Sequence, residues 1–267
     1  MTFSVLTLNI WNYEGPWKER LPLIRACIES LEPDLIALQE VLVGDAIDQP
    51  ALLFQGTPYA YEFGRAQDFW LDPSLAFGNL VASRWPLAQT HVAELPQREG
   101  VAGRVAVITN VQSPFGAVPF VSTHLTYPPY DGYVREQQTK AIHDLVRSRH
   151  VSEGFPAIVC GDFNARPESA EVRFMKGMQS IEGSSTYFVD AFEAAGAGEG
   201  ATMSRDNPYA DPPLELRIDY IFIGRHRPDG RGRVEACRVV ANESVDGVYP
   251  SDHYGVFAIF SRGSSSS

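Results

Sequence analysis

Along this chain, short apolar runs broken by turn residues recur from end to end, and apolar residues at helical spacing are confined to three places. The short runs are rich in Val, Ile, Leu, Phe and Thr. They lie at Phe3–Trp11, Asp34–Val41, Tyr59–Phe63, Gly78–Ser83, Arg104–Gln112, Val118–His124, Ala157–Asp162, Arg217–Ile223, Val234–Ala241 and Tyr254–Ser261. Their length, β-branching and Gly/Pro punctuation predict strands. "WKERLPLIRACIESLEP" puts Leu21, Ile24, Ile28 and Leu31 on one face, with Pro33 as its stop. "YVREQQTKAIHDLVRSRH" aligns Val134, Gln138, Ile142 and Leu145 and ends in basic residues that suit a helix C-terminus. "ARPESAEVRFMKGMQS" has Pro167 in a first-turn position, followed by acids. Strands outnumber helices, and no linker, repeat or low-complexity tract divides the chain. The pattern predicts one α/β domain over residues 1–262, with two packed, mostly antiparallel sheets and helices outside them. Residues 263–267 read as a flexible tail.

Composition narrows the function classes. The chain has 267 residues, 44% of them hydrophobic, enough for a sizeable core. Its net charge of −11 repels phosphate backbones unless a basic patch or bound cations offset it. Among the 22 basic residues arginine far outnumbers lysine, which favours planar contacts to phosphate or carboxylate. The odd set of Cys27, Cys160 and Cys237, each in an apolar stretch, argues against a disulfide framework and for a reducing, cytoplasmic setting. The N-terminus reads as a strand and not as a signal peptide. No run approaches the roughly 18 apolar residues of a spanning helix.

Candidate chemistry emerges when the strand ends are taken together. Asn9 follows "FSVLTL", Gln39 and Glu40 follow "DLIAL", and His124 follows "VPFVST". Asp162 and Asn164 follow "AIVCG", Asp219 interrupts "RIDYIFI", and Asp252 and His253 precede "YGVFAIF". Taken singly, each has an ordinary explanation as a cap, an Asx-turn, a solvated strand end or a satisfied core histidine. Asp219 is the hardest to explain so, because an unpartnered buried carboxylate costs several kcal/mol. Collectively they are what an oxygen-ligated divalent metal site with a histidine acid/base requires. Carboxylates and amides suit Mg2+, Mn2+ or Ca2+, whereas zinc would call for more histidine or cysteine. There is no GxxxxGK[ST] loop and no GxSxG elbow, which disfavours an NTPase and a serine hydrolase.

The ordered set "TLNIW", "LQE", "STHL", "GDFNARP", "RIDYIF" and "SDHYGV" resembles the endonuclease/exonuclease/phosphatase superfamily, with its DNase-I-like fold. The resemblance runs from residue 3 to about residue 260. It implies a four-layered α/β sandwich and metal-dependent hydrolysis of phosphoester bonds. It also implies roles. Glu40 would be the main metal ligand, with Asn9 and Asp252 beside it. Asp162 and Asn164 would position the attacking water and hold a phosphoryl oxygen or a second metal. His253 would face the reacting phosphate, Asp219 would orient it, and His124 would be a second histidine at the phosphate. On this view Asp252 faces a cation and His253 faces substrate.

Substrate class is less marked. Abasic-site endonucleases place an acid two residues after the asparagine and a tyrosine near the histidine slot, where this chain has Trp11 and His124. "GATMSRDNPYADPPLELRIDYIF" and "STHLTYPPYDGYVREQQ" are more similar to neutral sphingomyelinase-like members. The resemblance thus implies in-line hydrolysis of a small or lipid-derived phosphodiester by a Mg2+- or Mn2+-dependent enzyme. The alternatives are a nuclease acting on DNA or RNA, and a non-catalytic binding module that keeps the fold. Arg104 resembles the arginine of a "GR" that opens this strand in the family, which makes it a substrate-binding candidate. Asn207 is a second such candidate, with an Asn-Pro turn as its ordinary reading. The arginines of residues 225–238 form either a phosphate strip or a solvated hairpin. Tyr127, Tyr130 and Tyr133 with two prolines form an aromatic loop that could stack on a base, touch a lipid surface or pack on the sandwich edge. The four tryptophans read as packing residues.

Overall fold

A computed structural model describes residues 1–149 and 154–263. Its strands are β1 (Thr2–Asn9), β2 (Leu35–Val43), β3 (Ala60–Phe69), β4 (Asp72–Ser83), β5 (Leu87–Glu94), β6 (Val105–Ser113), β7 (Gly116–His124), β8 (Ile158–Asp162), β9 (Phe188–Asp190), β10 (Gly196–Ala197), β11 (Asp219–Gly224), β12 (Val234–Val240) and β13 (Gly255–Ser261). The helices are α1 (Trp17–Leu31), α2 (Gln49–Phe54), α3 (Gly132–Ser148), α4 (Ala170–Met175) and α5 (Ala191–Ala195). Among the described residues the strands form two sheets. One has seven strands in the order β10-β12-β13-β1-β2-β4-β3, and the other has six in the order β5-β6-β7-β8-β11-β9. Most neighbours are antiparallel; β1–β2, β7–β8 and β10–β12 are parallel.

Three cores make this a four-layered sandwich. Phe3, Val5, Leu35 and Ala37 of the first sheet meet Val107, Phe120, Ile158 and Ile221 of the second between the sheets. Leu21, Ile24 and Ile28 of α1 cover the outer face of the first sheet at Leu6, Leu8, Ile36 and Leu38. Ile142 and Val146 of α3, with Val172 and Met175 of α4, cover the second at Ile108, Val121, Val159 and Phe222. Central strands are therefore buried on both faces, which is why they read as continuous apolar runs and not as an alternation.

The predicted elements are present with shifted ends, and each shift has a cause. The helix predicted over residues 165–180 is only the short α4, because Gly177 turns away at φ +75° with its Cβ position 2.6 Å from the Thr186 carbonyl. Its N-terminal half is instead a turn in which Ser169 N–H donates to Arg166 O at 2.9 Å. β3 and β4 extend well beyond the predicted runs into a long hairpin that ends at Trp70 and Leu71. β5, an edge strand with a polar face, lacks the apolar run that marks the central strands. Asp219 opens β11 and does not interrupt it. The last residue of the predicted 133–150 helix and residues 264–267 of the predicted tail lie outside the described residues.

Candidate active site

Strand register assembles one half of the site. In the second sheet His124 pairs across β7–β8 with Asp162, and Asp162 pairs across β8–β11 with Asp219. Three side chains distant in sequence therefore sit side by side at one end of neighbouring strands. Gly161 permits this approach: a Cβ there would lie 1.8 Å from the Thr123 carbonyl, and its φ of +146° suits glycine. His253, two residues before β13, reaches over from the first sheet. Its Nδ1 lies 2.9 Å from Asp219 Oδ2 and its Nε2 lies 3.8 Å from Asp162 Oδ2. Thr202, buried and unmarked in the sequence, ties the two strand starts together. Its hydroxyl accepts from Ile218 N–H (3.1 Å) and Asp219 N–H (3.2 Å), and its carbonyl accepts from Tyr254 N–H (2.6 Å).

The first sheet supplies the other half. The β2–β4 ladder is irregular between Leu38 and Val41, and Glu40 sits there at φ 59°. Such a bulge re-aims a side chain out of the strand's alternation. Asn9 Nδ2 donates to Glu40 Oε1 (3.3 Å) and to Asp162 Oδ2 (3.1 Å), joining the two sheets. Asn12 Nδ2 donates to Glu40 Oε2 at 2.7 Å; this buried amide was not singled out from the sequence, although it follows Asn9 by three positions. Ser251 Oγ donates to the Asn9 carbonyl (2.7 Å) and lies 3.1 Å from Asp252 Oδ1. Beneath this layer Gln39 Nε2 donates to Ser122 Oγ at 3.1 Å, a second polar tie between the sheets.

The electrostatics differ from group to group. Burial, then the neighbouring Asp219, raises the Asp162 carboxyl to about 7. Burial, with Glu40 adding to it, raises Asp252 to about 6. Burial alone would lower His253, but Asp219, Asp252 and Asp162 outweigh it and hold the imidazole well above its ordinary value. His124 goes the other way: burial, then Arg104 and His253, push it well below. Asn164 Nδ2 donates to Leu125 O (3.1 Å) and lies 3.0 Å from His124 Nε2, which also faces Asp162 Oδ2 at 3.4 Å. Asn164 N–H donates to Asp162 Oδ1 at 2.8 Å.

A cavity of about 1080 Å3 opens here, and the sequence candidates Glu40, Arg104, His124, Asp162, Asn164, Asp252 and His253 are among its lining residues, with Asn9 and Asp219 behind them. The donor set fits a divalent cation. Burial and neighbouring acids disfavour the charged forms of Asp162 and Asp252 despite the His253 imidazole beside them, a cost that a cation on their hard oxygens would offset. Single atoms of Asp162, Asp219 and His253 also lie within 4.8 Å of one another, close enough to share an ion, although the Asp219–His253 hydrogen bond already uses two of them. Arg104 is buried with its Nε unpartnered, and burial lowers its proton affinity while Glu40 and Asp162 offset that effect.

Some candidates sit differently from expectation. Asn9 turns its NH2 to the carboxylates, while its Oδ1 accepts from Trp11 N–H at 3.0 Å. In this arrangement its NH2 bridges the two acids as a donor. Asn207 is not among the lining residues. Its amide donates to Ser251 O (2.8 Å) and Asp252 O (3.2 Å) and accepts from Tyr209 N–H (3.1 Å), so it holds the loop that carries Asp252. Trp11 and Trp70 line the cavity, whereas Trp17 and Trp85 pack against the cores. Tyr127 lines it too. In the arginine strip Arg231 pairs with Asp229 at 2.7 Å and Arg233 with Glu235 at 2.8 Å, Arg227 Nε donates to Gly154 O, and Arg238 lies over Phe257.

Comparison with known proteins accounts for this arrangement. The model of the Endonuclease/Exonuclease/phosphatase family matches residues 6–253. The chain belongs to the endonuclease/exonuclease/phosphatase family. Its similar relatives include 2',5'-phosphodiesterase 12 of Bos taurus, 32% identical over 190 residues, a match covering 63% of this chain and 29% of that protein. Nocturnin of Homo sapiens is 25% identical over 261 residues, covering 92% of this chain and 58% of the relative. The chain therefore spans less than two thirds of the length of these curated relatives. Among solved structures, TDP2 of D. rerio complexed with single strand DNA product superposes with a TM-score of 0.76 at 20% identity, covering 97% of this chain and 99% of that one. An endonuclease/exonuclease/phosphatase from Beutenbergia cavernae DSM 12333 gives 0.75 at 24% identity, covering 97% of this chain and 71% of the other. At these identities the structural likeness establishes the family's fold. Among the described residues no helix is long and apolar enough to cross a membrane.

Proposed function

We propose that this chain is a divalent-metal-dependent phosphodiesterase that hydrolyses a P–O bond of a small or lipid-derived substrate by in-line attack of water. One observation carries the reading: an Asp219–His253 pair at 2.9 Å whose free Nε2 faces Asp162 inside a cavity that Glu40 and Asp252 also line. Glu40 and Asp252 would hold Mg2+ or Mn2+, and Ca2+ suits the same oxygens. When bound, the cation supplies charge neutralisation and polarisation of the phosphoryl group.

The chain's own residues do the rest. Asp219 fixes the His253 ring through Nδ1 and keeps it protonated, so Nε2 donates to the phosphoryl or leaving oxygen. Asp162, raised to about 7, is suited to take the proton of the attacking water near neutrality. Asn164 is held beside Asp162 and orients that water. His124, kept neutral by burial, sits between Asn164 and Asp162 and steadies this arrangement. Arg104 offers an unpartnered guanidinium N–H to a phosphoryl oxygen. Three free cysteines support a reducing, cytoplasmic setting.

A second reading, a nuclease, is favoured by the exposed Trp70 and Tyr127 on the cavity wall, which suit base stacking, and by relatives named for phosphodiesterase and DNA-product complexes. The deciding experiment is a panel of bis-p-nitrophenyl phosphate, p-nitrophenyl phosphate and short oligonucleotides with Mg2+, Mn2+ or EDTA. Diester turnover that needs metal and is lost in EDTA is the expected result. Turnover indifferent to EDTA, or none in any metal, would overturn the proposal. Salt-sensitive cleavage of the oligonucleotides alone would favour the nuclease.

A further inference from the structure

Arg20 lies in the first turn of α1, yet it is 1% exposed and is among the largest fully buried side chains of the protein. Its guanidinium is spent on main-chain carbonyls. Nε donates to Glu14 O (3.1 Å), Nη1 to Ile10 O (2.9 Å) and Pro250 O (3.0 Å), and Nη2 to Trp11 O (2.9 Å), Asn12 O (3.3 Å) and Glu14 O (2.8 Å). The ring of Trp11 stacks on it at 4.8 Å. Among the described residues no carboxylate lies within ion-pair distance of Arg20, although Asp252 and Glu40 both feel its charge.

Two chain segments meet at this one group. The first follows β1 and carries Asn9 and Asn12, both bonded to Glu40. Here Trp11 and Asn12 are left-handed, with φ of 54° and 37°, a pair of conformations that persists only where surroundings over-determine it. The second segment carries Pro250, then Ser251, Asp252 and His253. It approaches the first through Arg20 and through the Ser251–Asn9 bond. A planar fork with five donors can hold carbonyls of both segments together, and a lysine ammonium cannot.

We propose that Arg20 is a positioning residue that holds the Glu40 half and the Asp252 half of the site at the spacing a shared divalent cation needs. The inference rests on the metal-dependent reading above. A purely structural role would lower thermal stability and leave the folded protein's metal affinity untouched; a positioning role changes that affinity.

The test is Mn2+ binding to the full chain without substrate, followed by isothermal titration calorimetry, on wild type and on R20K. R20K keeps the charge and loses the fork. With the fold verified by circular dichroism, R20K is expected to bind Mn2+ about tenfold more weakly, the scale seen when supports of metal ligands are removed. Its kcat on bis-p-nitrophenyl phosphate is expected to fall with KM nearly unchanged. Wild-type Mn2+ affinity and wild-type kcat in folded R20K would overturn the inference while leaving the proposed function standing. Failure of the wild type itself to bind Mn2+ would overturn both. Should R20K not fold, R20Q takes its place: it keeps an amide donor and loses the fork that reaches both the Pro250 carbonyl and those of Asn12 and Glu14. A weakening of about tenfold is expected of it too, and wild-type affinity in folded R20Q would overturn the inference.

Discussion

At the floor of the cavity the groups that carry charge are buried and bonded: Asp162 and Asp219 are each 1% exposed, and both are tied to a histidine or an amide. At its rim the large side chains stand in solvent: Trp70 is 54% exposed and Tyr127 64%. The floor is built from strand ends in fixed register. The rim is built from a hairpin tip and a loop, which the chain supports from below. Arg135 of α3 donates to Pro128 O (2.8 Å) and Thr126 O (3.2 Å) while pairing with Glu171 at 2.5 Å, and Gln138 accepts from Thr126 N–H at 3.0 Å. The difference teaches a division of labour. A floor held this tightly can hold charges that water would otherwise screen, which suits bond breaking. Exposed aromatic faces adapt to whatever flanks the phosphate, which suits recognition.

The largest test of that division is at the floor. His253→Ala is expected to lower kcat about a thousandfold, the scale of a lost acid/base or charge-stabilising group, with Mn2+ affinity nearly intact; a rate within a few-fold of wild type would remove His253 from the chemistry. Next comes the support under the rim. Glu171→Ala leaves the buried Arg135 without its partner, and denaturant unfolding is expected to show a loss of about 3 kcal/mol. An effect below about 0.5 kcal/mol, the usual range for surface changes, would mean the pair does not matter there. Glu40→Gln is expected to move the Mg2+ midpoint of activity up about tenfold, and an unaltered titration counts against it as a ligand. At the rim, Trp70→Ala and Tyr127→Ala are each expected to raise KM about fivefold for a substrate with an aromatic group, near 1 kcal/mol of stacking, with kcat held. A fall in kcat with KM fixed would blur floor and rim into one.

The smallest test concerns pH and α3. Burial, with Arg147 and Lys140 adding to it, lowers His143 below its ordinary value, with Asp144 opposing. The folded protein therefore keeps His143 neutral, while the unfolded chain takes up its proton near pH ~6.5. Stability from this group is present above that pH and is lost as pH falls from there toward the folded value. His143→Phe is expected to flatten the acid-side decline of stability by less than about 1 kcal/mol; an unchanged slope would clear His143 of that role.

The strand ends were legible because a charged or amide residue closing an apolar run conflicts with burial, and the conflict stands out without a structure. Asp219 and His253 are of this kind. Residues whose work is done through the main chain carried no such signal. Thr202 and Asn12 look like ordinary loop residues, and Arg20 looks like the polar face of an amphipathic helix. Trp70 reads as core because hydrophobicity alone does not say whether a ring faces in or out.

By itself the sequence determined the two-sheet α/β plan, since runs buried on both faces must be covered on both, and it determined which residue types gather at strand ends. Only the tertiary structure decided that His124, Asp162 and Asp219 are neighbours, that Asn9 presents its nitrogen and not its oxygen, and that Asn207 braces a loop. The physical reason is that register, the bulge at Glu40 and the loop crossing at Arg20 depend on contacts between segments far apart in the chain, 230 positions for Arg20–Pro250 and 242 for Ser251–Asn9, and local preference carries no information about those.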